Sequence, residues 1–196
     1  MKCTPRTILL QPERTFLLSA LFKRSIIGLS TCFVLASCSS MKPGDFAHAE
    51  PKFNPISFFN GRTHSGGVME NRAGKPLRPI VTKTQGTLKN GTLSMEQDLM
   101  PEGQEASHRS WKLWKVDEHH FDATANDISG SVHGEVYGNY LSWQFRVKVA
   151  KHGLIKHVHM QQHMYLMPDG QTLLIRSIIS KFGFTVQQVT ERFKKE

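Results

Sequence analysis

Five polar side chains recur at every second position in one stretch: His157, His159, Gln161, His163 and Tyr165. Alternate residues of an extended chain share a face, so these five project together, while Val158, Met160, Met164 and Leu166 project from the other side. His-x-His on a strand can chelate a divalent ion, because neutral imidazole suits zinc, copper or nickel. A third ligand would have to come from a neighbouring strand, where His133 or Glu135 is available. His163 lies about 13 Å beyond His159 at ~3.3 Å per residue, too far to share that ion. The same stripe also reads as a polar ladder inside a barrel or as the wet face of an antiparallel sheet. The wet face needs no ligand and is the plain reading, so no metal and no cofactor are assigned. A histidine of the ladder could act as general base on an acyl substrate. No nucleophile accompanies it, and an enzyme is therefore the alternative rather than the leading reading.

Other chemistry-bearing residues are weighed in the same way. His64 and Ser65 are adjacent, so on a strand they face opposite sides and cannot share a proton. Thr63-His64-Ser65-Gly66-Gly67 also lacks the glycine two before the serine that a nucleophile elbow requires. Gly61, Gly66 and Gly67 read as a bend or a close backbone approach; a buried site using Arg62 and His64 is the alternative. Arg62, Arg72, Lys75 and Arg78 gather around one hairpin, where they meet solvent or an anionic head group. Asp117-Glu118-His119-His120 falls at an expected turn. Trp111, Trp114 and Trp143 are assigned to the core. The candidate ligand-binding set is thus Arg62, His64, His157, His159, His163 and Tyr165.

Cys38 carries a different chemistry. Lys23 and Arg24 precede an apolar run from Ile26 to Leu35, and Leu35-Ala36-Ser37-Cys38 closes it. This order resembles the bacterial lipoprotein signal, which implies cleavage between Ser37 and Cys38 and acylation of the thiol. The run of ~10 residues is well short of the ~20 that a spanning helix needs, which favours cleavage over an uncleaved anchor. Arg6, Glu13 and Arg14 lie in a long stretch before the run, so either the leader is long or translation starts downstream. Cleavage removes Cys3 and Cys32 and leaves one thiol, itself acylated. Disulfides, thiolate metal sites and cysteine nucleophiles are then excluded. Ser39 after the cysteine implies, by the sorting pattern of such lipoproteins, the outer membrane and a domain facing the periplasm.

From Cys38 onward 159 residues remain, enough for one domain that buries roughly 68–70% of its unfolded surface. The whole chain is formally +9, but past the leader 20 basic residues face 15 acidic ones. That modest surplus, with no basic cluster interleaved with aromatics, argues against a nucleic-acid partner and fits loose attraction to anionic head groups.

The elements that must position these residues are strands. Leu141, Trp143, Phe145, Val147 and Val149 alternate with Ser142, Gln144, Arg146 and Lys148, and Leu93, Met95 and Leu99 alternate likewise. Asn90-Gly91, Gly138-Asn139 and Asp169-Gly170 supply hairpin turns. Residues 38–56, with Pro43, Gly44, Pro51 and Pro55, read as the lipidated cysteine and a flexible tether. Residues 57–196 read as a single all-β domain with no long helix. Strands are expected at 61–70, 79–86, 92–99, 108–116, 120–125, 131–137, 140–149, 155–166, 172–180 and 184–193. Ten strands in an antiparallel meander imply closure into a barrel, which leaves no edge exposed. Phe182, Val186, Val189 and Phe193 would also fit a helix; a strand with a bulge at Gln187-Gln188 is preferred for its β-formers.

Several blocks carry a family resemblance: Phe58-Phe59-Asn60-Gly61-Arg62-Thr63-His64-Ser65, Arg72-Ala73-Gly74-Lys75-Pro76-Leu77-Arg78, Met164-Tyr165-Leu166 with Asp169-Gly170, and Ser180-Lys181-Phe182-Gly183-Phe184. Together they resemble an uncharacterised family of proteobacterial lipoproteins known only as a domain of unknown function. The chain departs from it at Gln162-His163, where an acidic residue and Trp are expected. The first strand and meander are more distantly similar to lipocalin-like barrels. These resemblances imply a lipid-anchored barrel that binds a lipid-like or amphipathic molecule in envelope maintenance, its one firm partner the bilayer reached through Cys38. A non-catalytic role in an envelope complex is the third reading, and it requires a contiguous exposed apolar patch.

Overall fold

The computed structural model describes residues 41–149 and 156–196; the leader, Ser37 and Cys38 lie outside the described residues. Ten strands follow one another: β1 (Gly61–Asn71), β2 (Pro76–Lys89), β3 (Thr92–Pro101), β4 (Ser107–Lys115), β5 (His120–Ala125), β6 (Val132–Tyr137), β7 (Tyr140–Lys148), β8 (His157–Leu166), β9 (Thr172–Lys181) and β10 (Phe184–Lys195). Each pairs antiparallel with the next, and β1 also pairs with β10, Thr63 opposite Lys195 through Asn71 opposite Gln187. The meander is thereby a closed barrel, as the alternation and turn spacing predict. The bulge falls earlier than expected. The β9–β10 register shifts between Thr185 and Gln187, so the extra residue is Val186, close to the hairpin tip.

Alternation places one face of every strand inside. Leu93, Leu113, Ala123, Val132, Leu141 and Leu173 are wholly buried and form one cluster with Trp111, Trp143 and Phe145. Trp114 is the exception to the core assignment. It follows Leu113 on β4 and so turns outward, half-buried. The hairpin at Asn90-Gly91 has φ of 51° and 77°, the paired positive angles that a right-twisted two-residue turn needs.

One end of the barrel is sealed. The short helix α1 (Pro55–Phe59) begins at Asn54, whose side chain accepts from the N–H of Ile56 and of Ser57, with Pro55 at its first position. Its Phe58 and Phe59 are buried, stacked edge-on to each other, and Phe59 meets Phe193. Gly86 allows this approach, since a Cβ there would stand 1.8 Å from the Phe59 carbonyl oxygen.

The segment ahead of α1 corrects the tether expectation from Met41 on. A 3-10 helix spans Pro43–Phe46, and Phe46 stacks on Tyr140 with ring centroids 4.4 Å apart. Phe53 is buried, and its N–H donates to the Gly138 carbonyl. The expected boundary at residue 57 therefore falls inside packed chain; two aromatic residues outweigh the four turn-formers. Residues from Met41 to Glu196 form one compact unit that holds every core residue described.

Candidate functional site

The six candidate residues all lie on the outside of the barrel. Arg62 and His64 both reach Glu196, Arg62 Nε at 3.1 Å and His64 Nδ1 at 3.1 Å, and both are well exposed. Their neighbour Ser65 turns inward, as the alternation requires, so the buried Arg62–His64 site is overturned. His157, His159, His163 and Tyr165 share the outer face of β8 while Met164 and Leu166 are buried within. A lumenal histidine ladder on β8 is thereby excluded, and with it a base from that ladder inside the barrel.

The outer face of β8 is unsuited to a metal as well. His157 stands opposite Lys148 and His159 opposite Arg146, so each imidazole has a cation beside it. His133 is engaged by Asp122, Nδ1 to Oδ1 at 2.7 Å. Among the described residues no group of three or more His, Cys, Asp or Glu could hold an ion. His163 and Tyr165 belong instead to an aromatic cluster under the Met41–Phe46 strap. Tyr140 Oη lies 2.5 Å from His163 Nδ1. Burial pushes the Tyr140 phenol up to about 12, and burial, then Arg176, hold His163 below its ordinary 6.5. Neutral imidazole therefore accepts and the phenol donates.

A Ser–His–Asp order does occur, on the outer face of β3–β4. His108 Nδ1 is 2.8 Å from Asp98, and Ser110 Oγ is 3.4 Å from His108 Nε2. Glu96 breaks the relay. Its Oε2 takes both the Ser110 hydroxyl at 2.5 Å and His108 Nε2 at 2.8 Å. The hydrogen bonds to Asp98 and Glu96 also raise His108 above 6.5, which favours an imidazolium that cannot take a proton from serine.

The arrangement with the means to bind something is inside. Thr82, Gln97, Arg109, Gln162 and Glu191 line a cleft whose walls include Met95, Trp111, Trp143, Met164 and Ile175. The side chains fill most of this cleft and leave a cavity of about 50 Å³. Trp111 and Trp143 lie parallel, centroids 5.3 Å apart, and fill the middle. Each indole N–H is directed by a glutamine: Trp111 Nε1 to Gln97 Oε1 at 2.8 Å, and Trp143 Nε1 to Gln162 Oε1 at 2.7 Å. Gln162 in turn donates to Ser177 at 2.9 Å and Gln97 to Thr84 at 3.1 Å, so both amides are fixed in orientation.

Glu191 is the one carboxyl group among the buried residues described. Its Oε1 accepts from Ser65 Oγ and Thr82 Oγ1, each at 2.7 Å, while no hydrogen bond to Oε2 is found among the described residues. Gly67 leaves the room it needs, because a Cβ there would stand 2.6 Å from Glu191 Cγ. Arg109 is also buried but already satisfied, its guanidinium donating to Asp127 at 2.7–2.9 Å. The cleft thus offers apolar walls and an acceptor, with its cation neutralised.

Sequence reasoning missed these polar residues. The signal was a single acidic or amide residue within an otherwise apolar alternating face: Glu191 between Val189 and Phe193, Gln162 between Met160 and Met164.

Among solved structures the chain is similar to the S-type phycobiliprotein lyase CPES from Guillardia theta, with a TM-score of 0.52 and 11% identity over 72% of this chain and 90% of that one. That likeness shows the fold, a lipocalin-like barrel. No curated protein matches the sequence. A family model described as a protein of unknown function (DUF3833) matches residues 32–195.

Proposed function

The chain belongs to the DUF3833 family, and from that premise we propose that it binds an amphipathic, lipid-like molecule in its barrel while held at a membrane by acylated Cys38. The observation that carries the ligand reading is Glu191, a buried carboxyl that holds two hydroxyls on one oxygen and lines an apolar cleft in a barrel that α1 closes at one end. Small-molecule sites typically combine apolar walls with a few fixed polar groups. As the side chains stand, the cleft admits the end of a molecule, with the remainder at the mouth near Leu99 and Arg109. A hydrogen-bond donor on that end would pair with Glu191 Oε2. The similarity to a lyase with a lipocalin-like barrel is in keeping with ligand binding.

The location is part of the proposal. The Leu35–Cys38 motif supports lipidation at Cys38, and Ser39 supports the outer membrane, periplasmic side. Residues 41–196 carry the whole described core and serve for the ligand test. Purified protein is extracted with organic solvent and the extract read by mass spectrometry, beside an Ile175→Trp variant that enlarges a side chain of the cleft wall. A lipid-like species in the unaltered protein, depleted in the variant, is the expected result. An extract without one, together with no uptake of a fluorescent fatty-acid analogue, overturns the proposal.

A further inference from the structure

The open end of the barrel is ringed by hairpins, and three neighbouring ones differ from the others. β9–β10 carries Lys181-Phe182-Gly183-Phe184 at its tip, with Phe182 81% and Phe184 72% exposed. The β1–β2 hairpin lies beside it, since Asn71 is opposite Gln187, and the β7–β8 hairpin on the other side, since β8 pairs with β9. Those two present exposed Leu77 and Val149. Cations accompany the apolar groups on all three: Arg72 and Lys75, Lys148 and Lys156, and Lys181, whose ammonium sits 4.8 Å from the Phe182 ring. Acidic residues at the same end are Glu70, on the β1–β2 hairpin opposite Gln188, and Glu102 and Glu105 on the β3–β4 connection beyond it.

The backbone adds an independent observation. Lys181 pairs with Phe184, so Phe182 and Gly183 are the central residues of a two-residue turn, with φ of 51° and 81°. At the sealed end the same chain makes this turn with Asn90-Gly91. Asparagine tolerates the left-handed region and phenylalanine does so poorly. The turn therefore gives up conformational ease to hold an aromatic ring in solvent, and a strained residue of this kind points to a role outside the turn.

We infer that the β9–β10 and β1–β2 hairpins, together with the flanking ends of β7 and β8, dock this end of the barrel onto an anionic phospholipid surface. Phe182 and Phe184 enter the boundary between head groups and acyl chains, Leu77 and Val149 rest on it, and the lysines and arginines meet the phosphates. The cleft would then open directly onto lipid. This goes beyond the ligand reading and can fail separately from it, because it concerns the rim alone.

The test uses residues 41–196, which lack the acyl site, sedimented with phosphatidylcholine vesicles with or without phosphatidylglycerol. Binding is expected with the anionic lipid and is expected to fall as salt rises. Phe182→Asn is the informative variant. It suits the turn, so thermal stability should hold or rise, while the bound fraction should fall about tenfold with the loss of one inserted ring. Phe184→Ser should weaken binding similarly. Equal sedimentation of the unaltered protein and Phe182→Asn, or binding indifferent to both phosphatidylglycerol and salt, overturns the inference. So does concentration-dependent dimerisation abolished by Phe182→Asn without vesicle binding, which would assign the patch to a second copy of the chain.

Discussion

At the scale of single residues, Glu191 is the group on which both folding and the proposed binding turn. Two hydroxyls, from Ser65 and Thr82, donate to one of its oxygens inside the barrel. Glu191→Ala leaves both donors buried without that acceptor and should cost about 1–3 kcal/mol in denaturant unfolding. Glu191→Gln keeps an acceptor, so it should cost less while still weakening ligand uptake. Two histidines should titrate in opposite directions from 6.5, a point that carbon-detected ring resonances would check. His108, between Asp98 and Glu96, titrates above it; stability linked to this group is full below 6.5 and is lost as pH rises through the raised value. His163 titrates below it; its contribution is full above 6.5 and is lost as pH falls through the lowered value. His108 is fully exposed, so its effect on stability should be small. The polar candidates chosen from sequence were conspicuous because they were grouped. Alternation told which residues share a face, yet a stripe of histidines says nothing about which face closes inward, and isolated Glu191 and Gln162 were hidden by their apolar neighbours.

At the scale of elements, the strands were legible because period two, turn residues and β-formers agreed along nearly the whole domain. β10 was the ambiguous one, and closure of the barrel through β1 decides it in favour of a strand. The segment before α1 was misjudged for a physical reason. Proline and glycine mark where regular structure stops, but they do not report whether Phe46 and Phe53 find a surface to bury against. Phe58→Ala should therefore lower stability by about 3–5 kcal/mol, as for a core aromatic, and thermal unfolding would show it. Gly86→Ala should also destabilise, because its Cβ collides with the backbone of α1. Faster cleavage of the 41–60 region by protease would report the displaced helix.

At the scale of the whole molecule, little sequence separates the proposed acylation site from the barrel. Cys38 stands three residues before Met41, a span that reaches at most about 11 Å when fully extended. Met41 itself lies by the outer wall, its sulfur 3.8 Å from Tyr165 Oη. A lipidated Cys38 would hold the barrel close to the bilayer rather than on a long leash. Cys38→Ala should shift the protein from the membrane fraction to the soluble one after cell lysis and ultracentrifugation, leaving the unfolding midpoint of the barrel unchanged. Retention of the variant in the membrane would transfer the anchoring role to other residues, the hairpin rim among them.

The helix packed across one end of the barrel limits what kind of device this can be. If the barrel takes a ligand as proposed, α1 makes the tube a cul-de-sac, and what enters must leave by the same door. It would then hold, present or hand over one passenger at a time rather than conduct it through. Its traffic would then be governed by what sits across the doorway.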